Sequence, residues 1–571
     1  MQILKLQEKN YFYKSAEISF FAYAFFMVSL SAIGGIKSFT SVPYWDMWGP
    51  YLDFYIEPTN KFSSWWMQHN EHRIVLAKAL FWLDIRYFSG LSYFLILLNY
   101  FFVGLAILVF FKIFDKKATP DNSNYEFIFK CIIVAWLFSW SQYDNLTWAF
   151  QSQFFLAQLL PLCSFYLFSQ SINSPNKIGY FVGAIFFGMI SLGSMANGIF
   201  AMPLLFLYST IASQGWRKSG TLFILSIICI VTYLYGYHTP TGHASPLSSL
   251  ISNPYDYIRY VLYYLGVPFY YIFKGGMFGE WAAILGGTFL LLSYFIFTIK
   301  ALKSGDHGNI NLMIAMFGVY ILATAFITGG GRLIFGVNQA LTSRYCTPAL
   351  MMWAGLFIML SPMLLRFYVK RKNLFLSVIT VFSISLIPMQ LSAINVDGDV
   401  SFNREVAALA LAMRVRDVDQ ISKIYPAPDV AIAISEKLKK NSLSIFGVSP
   451  YKGLEDSINT RADESSPLKC IGNLDEVVVL NGATYSKIRG WMYSPDVRLS
   501  PTIAQISGVN GNVVGYALVG QKRDDVMHHF GRHALKSGFI GYVQVAETNA
   551  SIKAGSSKIG CELILSLEVK P

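Results

Sequence analysis

Apolar runs of about 17 to 22 residues recur along the first two thirds of the chain, and they limit its fold more than any other feature. A helix needs about 20 mainly apolar residues to cross the hydrocarbon core of a bilayer. The chain has 571 residues, of which only 14% are charged, whereas about 25% are charged in a soluble domain. A soluble globular protein, a disordered chain and a disulfide scaffold are therefore excluded. The sequence predicts a polytopic α-helical membrane protein.

The apolar runs predict about eleven membrane spans. Their approximate ranges are 17–36, 91–111, 126–142, 150–169, 178–195, 198–213, 220–237, 281–299, 310–327, 347–365 and 374–391. Basic residues cluster in alternate turns between these ranges, as the positive-inside rule requires of cytoplasmic loops. We therefore expect a cytoplasmic N-terminus, a retained first span and an outside C-terminus. Residues 255–273, on the outer side, are expected to lie flat on the membrane or to re-enter it.

The formal net charge of +12 could by itself indicate a nucleic-acid partner. Residues 391–571 carry nearly equal numbers of basic and acidic side chains, so the surplus lies in the membrane part. Membrane topology explains that surplus. The sequence therefore predicts a lipid bilayer, and no nucleic acid, as a partner.

The composition changes after the last predicted span. Residues 1–391 are predicted to form the transmembrane domain, 392–465 a periplasmic helical linker, and 466–571 a periplasmic domain of short alternating strands. A small β-sandwich is the economical interpretation of those strands, which gives an α+β region outside the membrane. Cys470 and Cys561 bracket the sandwich, and we expect a disulfide between them in an oxidising compartment.

The spans contain almost no ionisable residues in their central turns, which disfavours an ion-coupled transporter. Polar residues concentrate at the outer ends instead. Asp46 lies between Trp45 and Trp48 just beyond the first span. Partial burial would raise the pKa of such a carboxyl and suit it to act as a base, while the aromatic faces hold a sugar ring. The alternative is an interfacial aromatic belt with an incidental aspartate.

Residues 68–73 (QHNEHR) form a second polar group in the same outer loop. In a functional interpretation Glu71 binds the acceptor or a metal, while Arg73 or His72 contacts a phosphate or sugar hydroxyls. Helix capping and interface charge explain the same residues. Asp46 and Glu71 could jointly hold a divalent cation such as Mg²⁺ or Mn²⁺, although no residue pattern establishes a metal.

Residues 329–332 (GGGR) and 343–345 (SRY) form a third group, in an outer loop. Glycines let the backbone approach a ligand closely, and Arg332 and Arg344 suit an anionic headgroup. The positive-inside rule does not explain arginines on the outer side, so phosphate binding competes with a structural ion pair. Asp144, in a short outer loop, could line the same cavity.

These segments together resemble the GT-C superfamily of membrane glycosyltransferases, which use polyprenyl-phosphate sugars. WDMW, QHNEHR, GGGR and SRY are similar to segments of bacterial relatives of O-antigen-modifying glycosyltransferases. The resemblance covers residues 1–391, implies the bacterial inner membrane, and matches the family's catalytic base to Asp46 and a second acidic residue to Glu71. The metal-binding Asp-x-Asp form of some members is absent from the first outer loop.

The resemblance implies transfer of a hexose or pentose from a polyprenyl-phosphate donor to a periplasmic glycan or lipid-linked acceptor, with inversion. The side chains expected to bind the donor phosphate are Arg332, Arg344 and Tyr345. Those expected to contact the sugar or the acceptor are Trp45, Trp48, Trp65, Trp66, His69, His72, Arg73 and Asp144. The alternatives are an O-antigen or polysaccharide polymerase, and a membrane protein that binds or exports polysaccharide without chemistry.

Overall fold

The computed structural model describes residues 2–56, 62–117, 122–174, 176–239, 246–304, 310–396, 398–462, 468–480, 484–495, 503–545, 549–556 and 559–566. The chain divides into two compact units. One, the helical unit, comprises Met1–Lys37, Trp65–Ala79 and Leu95–Val396. The other, the mixed unit, comprises Ser38–Ser64, Leu80–Phe94 and Asp397–Pro571. Parts of the first predicted outer loop therefore belong to the same unit as the C-terminal region.

Helices account for most of the described chain. In chain order they are α1 Gln2–Ser38, α2 Phe54–Ile56, α3 Phe62–Trp66, α4 Val75–Phe88, α5 Tyr93–Asp115, α6 Ser123–Leu137, α7 Tyr143–Thr147, α8 Ser152–Asn173, α9 Ile178–Ile190, α10 Ala201–Ile211, α11 Gly215–Leu234, α12 Pro246–Ser252, α13 Pro254–Ile272, α14 Gly276–Lys303, α15 Ile310–Arg332, α16 Cys346–Lys370, α17 Lys372–Leu391, α18 Gly398–Ala412, α19 Val418–Ile421, α20 Pro428–Lys440 and α21 Asp524–Phe530.

Among the described residues, eight helices are long and apolar enough to cross a membrane. They are Lys14–Ser38, Tyr93–Asp115, Ala149–Asn173, Gly215–Leu234, Gly276–Lys303, Ile310–Phe335, Ser343–Lys370 and Lys372–Ala412. The chain is therefore a polytopic membrane protein. The predicted span count is not confirmed, because 178–195 and 198–213 coincide with shorter apolar helices and 126–142 overlaps the 15-residue α6.

Helix α13 is buried in the helical unit, where it packs against α14, α15 and α16. A Cβ atom on Gly266 would lie 1.9 Å from the carbonyl oxygen of Ala283, and one on Gly287 would lie 2.1 Å from that of Leu262. Glycine at both positions lets the backbones of α13 and α14 touch, as small residues do between membrane helices. This packing contradicts the expectation that residues 255–273 lie flat on the membrane. The alternative, that they re-enter the membrane, stays a prediction.

The mixed unit contains one curled sheet. Its strands are β1 Leu468–Lys469, β2 Ile471–Val479, β3 Tyr485–Tyr493, β4 Ile503–Gly508, β5 Val513–Gln521, β6 Gly538–Gln544, β7 Asn549–Ser556 and β8 Ile559–Ser566. They bond in the order β1-β8-β7-β4-β5-β6-β3-β2. Strands β1 and β2 are the two edge strands, and only Cys470 separates them in sequence, so the two edges of the sheet lie close together. The predicted two-sheet sandwich is therefore wrong, because a single sheet closes around one core.

That core lies on one face of the curled sheet and contains Ile488, Phe539 and Ile552, each fully buried. A disulfide joins Cys470 to Cys561 at the edge of this core, with 91 residues of sequence separation and a Cα–Cα distance of 5.1 Å. Closing a loop of that length restricts the unfolded chain and stabilises the fold by about 4 to 5 kcal/mol on the loop-entropy model.

A buried polar network fastens the linker helices to the sheet within the mixed unit. The Lys487 ammonium on β3 donates to Asp417 Oδ2 at 2.6 Å, and the Tyr542 hydroxyl on β6 donates to the same oxygen at 2.9 Å. Asp417 also accepts from the backbone N–H of Gln420 at 3.0 Å, which caps α19. Burial alone would raise the pKa of Asp417, but these partners outweigh burial and hold the pKa below its ordinary value.

Replacing Asp417 with Asn should destabilise the mixed unit by about 3 to 5 kcal/mol, because the buried Lys487 ammonium loses its counter-ion. Thermal unfolding of the purified chain measures this. The lowered pKa means that the ion pair stabilises the fold above the ordinary carboxyl pKa and is lost as the pH falls through the folded pKa. The difference between wild type and variant should therefore shrink below about pH 4. The exposed Asp419→Asn is the control, and an equal loss of stability there would contradict the assignment.

Candidate functional site

The polar run 68–73 folds as a tight turn in the helical unit. The backbones of His69 and His72 exchange two hydrogen bonds, of 2.8 and 2.9 Å. Asn70 takes the left-handed conformation that the turn requires, with φ of 48°, and asparagine tolerates that region better than most residues. The turn presents the next residue, Glu71, to the helix bundle.

Arg73 anchors this turn to the end of α11. Its guanidinium donates to the carbonyl oxygens of Tyr233 at 2.9 Å, Trp66 at 2.7 Å and Tyr235 at 2.7 Å. The same group lies over the rings of Trp66 and Tyr233, at 5.3 and 5.7 Å from their centroids. The Tyr233 hydroxyl in turn donates to the backbone oxygen of Glu71 at 2.9 Å. Arg73 therefore positions the turn, and its predicted contact with a sugar or phosphate stays a prediction.

An ion pair between Glu71 and Arg332 forms the centre of the site. Arg332, the last residue of α15, donates from Nε at 3.1 Å and from Nη2 at 2.5 Å to the same oxygen, Glu71 Oε1. Both side chains are 21% exposed. The other oxygen, Glu71 Oε2, is buried and accepts no hydrogen bond from the described residues. One acceptor of the carboxylate is thus unpartnered among the described residues.

His72 adds a second partner, because its Nε2 lies 3.5 Å from Glu71 Oε1. Its Nδ1 accepts from the backbone N–H of Ala196 at 3.2 Å, so the proton of a neutral imidazole is on Nε2, facing the carboxylate. Burial alone would raise the pKa of Glu71, but His72 and Arg332 outweigh burial and lower it to about 2. Glu71 is therefore a carboxylate throughout the physiological pH range and a weak base.

Tyrosines surround the guanidinium of Arg332. Tyr345 and Tyr260 are close enough to interact with it electrostatically, and the ring of Tyr345 lies 4.9 Å from that of Tyr264. The Tyr260 hydroxyl is buried near Tyr345 and forms no hydrogen bond with any described residue. A Cβ atom on Gly329 would lie 3.2 Å from the Tyr260 ring. The glycine run before Arg332 therefore lets the last turn of α15 approach α13.

Sequence reasoning missed the turn between α9 and α10, which contacts the site through His72. There Asn197 donates from Nδ2 to Thr324 Oγ1 at 3.2 Å, while its Oδ1 is buried with no partner among the described residues. Gly198 is required because a Cβ atom would lie 2.0 Å from the carbonyl oxygen of Ser191. The Asn-Gly pair between two apolar runs was the available signal.

The segment that carries Arg344 is fastened by the short outer loop containing Asp144. Ser343 Oγ accepts from the backbone N–H of Asp144 at 3.1 Å and donates to Ser141 O at 2.8 Å. Asn145 Nδ2 donates to Arg344 O at 2.7 Å. The loop that contains Asp144 and the segment that contains Arg344 therefore lie next to each other. No acidic side chain among the described residues pairs with the Arg344 guanidinium, which leaves its charge available to an anion.

Asp46 and its flanking tryptophans belong to the mixed unit. Asp46 is half-buried in a short 3-10 turn, Trp45–Met47, and the backbone N–H of Trp45 donates to Ile424 O at 2.8 Å. The Trp45 side chain is exposed, whereas Trp48 is fully buried and its indole N–H donates to Pro43 O at 3.2 Å. Trp48 is therefore part of the core of that unit, and its ring is not open to a sugar.

The remaining predicted aromatic contacts lie in the helical unit. Trp65 and Trp66 are half-buried, and Trp66 is covered on one side by the Arg73 guanidinium. The His69 ring packs edge-on against Phe150, with centroids 5.7 Å apart. These residues support the turn, and their contacts with a sugar stay predictions.

Comparison with known proteins leaves the site to be interpreted from its own residues. No family model and no curated protein matches the chain. Within the described ranges, no group of three or more His, Cys, Asp or Glu side chains is placed to hold a metal ion.

Proposed function

We propose that the chain is a glycosyltransferase of the bacterial inner membrane that moves a sugar from a polyprenyl-phosphate donor to a periplasmic glycan or lipid-linked acceptor. The observation that carries the proposal is the Glu71–Arg332 pair at the end of an apolar, membrane-length helix, with one carboxylate oxygen unpartnered. A lipid-linked phosphate sugar lies at that depth. Its phosphate suits the guanidinium, and its hydroxyls suit buried acceptors.

In the proposed reaction Asp46 takes the proton from an acceptor hydroxyl as the hydroxyl oxygen attacks the anomeric carbon of the donor. The bond between that carbon and the phosphate oxygen breaks, and polyprenyl phosphate leaves with the electron pair. Arg332 and Arg344 stabilise the charge on the leaving phosphate, so no separate acid is needed. Direct displacement gives inversion. No step depends on a divalent cation.

Glu71 has a different role from Asp46 in this proposal. With a pKa of about 2 it holds a proton too weakly to act as the base near neutral pH. Its Oε1 orients Arg332, and its Oε2 accepts a hydrogen bond from a sugar hydroxyl. In the proposal, Glu71 therefore positions the guanidinium and the donor.

The proposed orientation of the protein in the membrane follows from the positions of its basic residues. Lys116 follows α5, and Lys303 and Lys370 are the last residues of α14 and α16. These lysines lie at the end of the bundle opposite Arg332, which the positive-inside rule assigns to the cytoplasm. Arg332 and the C-terminal region are then periplasmic, where lipid-linked sugars are available.

Replacing Arg344 with Gln should raise the KM for the lipid donor by about tenfold or more, because a charge-assisted hydrogen bond to the phosphate is lost. Transfer measured against donor concentration tests this in the purified protein. The exposed Arg217→Gln variant removes an equal charge at the start of α11 and should leave the KM unchanged. An unaltered dependence on donor concentration in Arg344→Gln would remove Arg344 from the site.

Product binding tests the proposal without turnover. Polyprenyl phosphate should raise the unfolding temperature of the purified protein in a concentration-dependent way, as a ligand of the folded state does. The polyprenyl alcohol, which lacks the phosphate, should have a much smaller effect. Equal stabilisation by the alcohol and the phosphate would show that no phosphate site is present.

A further inference from the structure

A cavity of about 220 Å³ lies in the helical unit, at the junction of α5, α6 and α16. Its walls combine apolar side chains, including Phe114 and Leu365, with a few polar ones. The polar walls include Lys117, Arg366 and Glu126. None of these residues belongs to the proposed transferase site.

The cavity lies at the opposite end of the bundle from Arg332. The Lys117 ammonium donates to Asn311 Oδ1 at 2.6 Å, and Asn311 is in the first turn of α15, whose last residue is Arg332. The helix rises 1.5 Å per residue, which separates the two by about 30 Å, close to the hydrocarbon thickness of a bilayer. The cavity is therefore at the level of the lipid headgroups of the other leaflet.

Among the described residues, Lys117 is held in place by uncharged partners. Besides Asn311, its ammonium donates to Ile358 O at 3.1 Å, and both acceptors are uncharged. An ammonium has three N–H donors, so one is left for a ligand. Burial lowers the pKa of Lys117 to about 8, and an anion beside it would restore the preference for the charged form.

The charges that line the cavity favour a ligand with one negative charge. Among the described residues that line it, Lys117 and Arg366 supply two positive charges and Glu126 one negative charge. The nearby Asp115 is paired with Lys130 at 2.6 Å. The carboxylate of Glu126 would repel a second phosphate but can accept a hydrogen bond from a hydroxyl group.

We propose that this cavity binds the headgroup of an anionic glycerophospholipid, phosphatidylglycerol, from the membrane leaflet opposite the transferase site. The phosphodiester pairs with Lys117 and Arg366, a glycerol hydroxyl donates to Glu126, and the start of the acyl region contacts Phe114 and Leu365. Basic pockets between membrane helices are suited to such headgroups. The site goes beyond the proposed transfer reaction and does not depend on it.

Native mass spectrometry of the detergent-purified chain with added phosphatidylglycerol tests the site. Lys117→Gln and Arg366→Gln should each weaken retention of the bound lipid by about five- to tenfold. Lys116→Gln, an exposed lysine of the same turn, should change it less than about twofold. Phosphatidylethanolamine, which has no net charge, should bind more weakly than phosphatidylglycerol to the wild-type chain.

Four results would overturn the proposal. They are unchanged binding in both Lys117→Gln and Arg366→Gln, an equal loss in Lys116→Gln, equal retention of the two lipids, and displacement of the lipid by equimolar inorganic phosphate. Arg366 is exposed, so its variant should keep the wild-type unfolding temperature. The test therefore stands even if Lys117→Gln does not fold.

Discussion

Asp46→Asn is expected to abolish sugar transfer while the protein remains in the membrane at its normal level. The amide keeps the size and shape of the carboxylate but cannot take the proton of the acceptor hydroxyl. Loss of a general base lowers the rate by about 10² to 10⁴-fold. Transfer by purified protein in lipid vesicles, normalised to the amount of folded protein, measures the effect.

Asp53→Asn is the matched control for that variant. Asp53 lies seven residues further along the same segment and pairs with Lys437 at 3.0 Å within the mixed unit. Both aspartates are half-buried, so a general effect of removing a carboxylate from this segment should be similar in both variants. Transfer that persists in Asp46→Asn, or that is lost equally in Asp53→Asn, would remove the proposed base.

The second large effect is expected at Arg332. Arg332→Met should lower transfer by about 10² to 10³-fold, as for loss of a group that stabilises a developing negative charge. It should also destabilise the helical unit by about 1 to 3 kcal/mol, because the Glu71 carboxylate remains buried with its main partner removed.

The double variant Glu71→Met with Arg332→Met separates these two consequences. Removing both charges takes away the unpaired carboxylate, so the unfolding temperature should return toward the wild-type value. Transfer should stay low, because the guanidinium for the donor phosphate is still missing. If transfer returned together with stability, the ion pair would have only a structural role.

The membrane architecture could be predicted because bilayer thickness sets the length of a spanning helix. The same argument failed where apolar runs are interrupted. The Asn-Gly turn at 197–198 shortens two helices. Helix α13 was not predicted as a span because its many tyrosines reduce the apolar signal, although glycine contacts with α14 pack it into the bundle.

The C-terminal sheet shows a different limit. Alternating hydrophobicity marks individual strands but not their partners, and here a parallel pair joins Leu468 to Cys561 across most of the domain. That pairing brings the ends of the sheet together. Strands β1 and β7 carry little sequence signal, since β1 has two residues and β7 is rich in small and polar residues.

Only part of the candidate site could be predicted from the sequence. The residue composition identified QHNEHR and GGGR as two separate candidate segments. The sequence around each did not indicate that Glu71 pairs with Arg332, which is 261 residues away. The sequence also does not indicate that the Arg73 guanidinium donates to three backbone carbonyl oxygens. Trp48 was expected to contact the sugar or the acceptor, yet its short helical segment places it in the core.

The most direct measurement is the release of polyprenyl phosphate by the purified protein. The wild-type chain, Asp46→Asn and the Glu71→Met/Arg332→Met double variant would each be incubated with a panel of polyprenyl-phosphate sugars and candidate acceptors. We expect the wild-type chain to release polyprenyl phosphate from at least one donor, with an inverted product linkage, and both variants to release almost none. Release by the variants at the wild-type rate, or transfer of whole repeat units in place of single sugars, would contradict the proposed function.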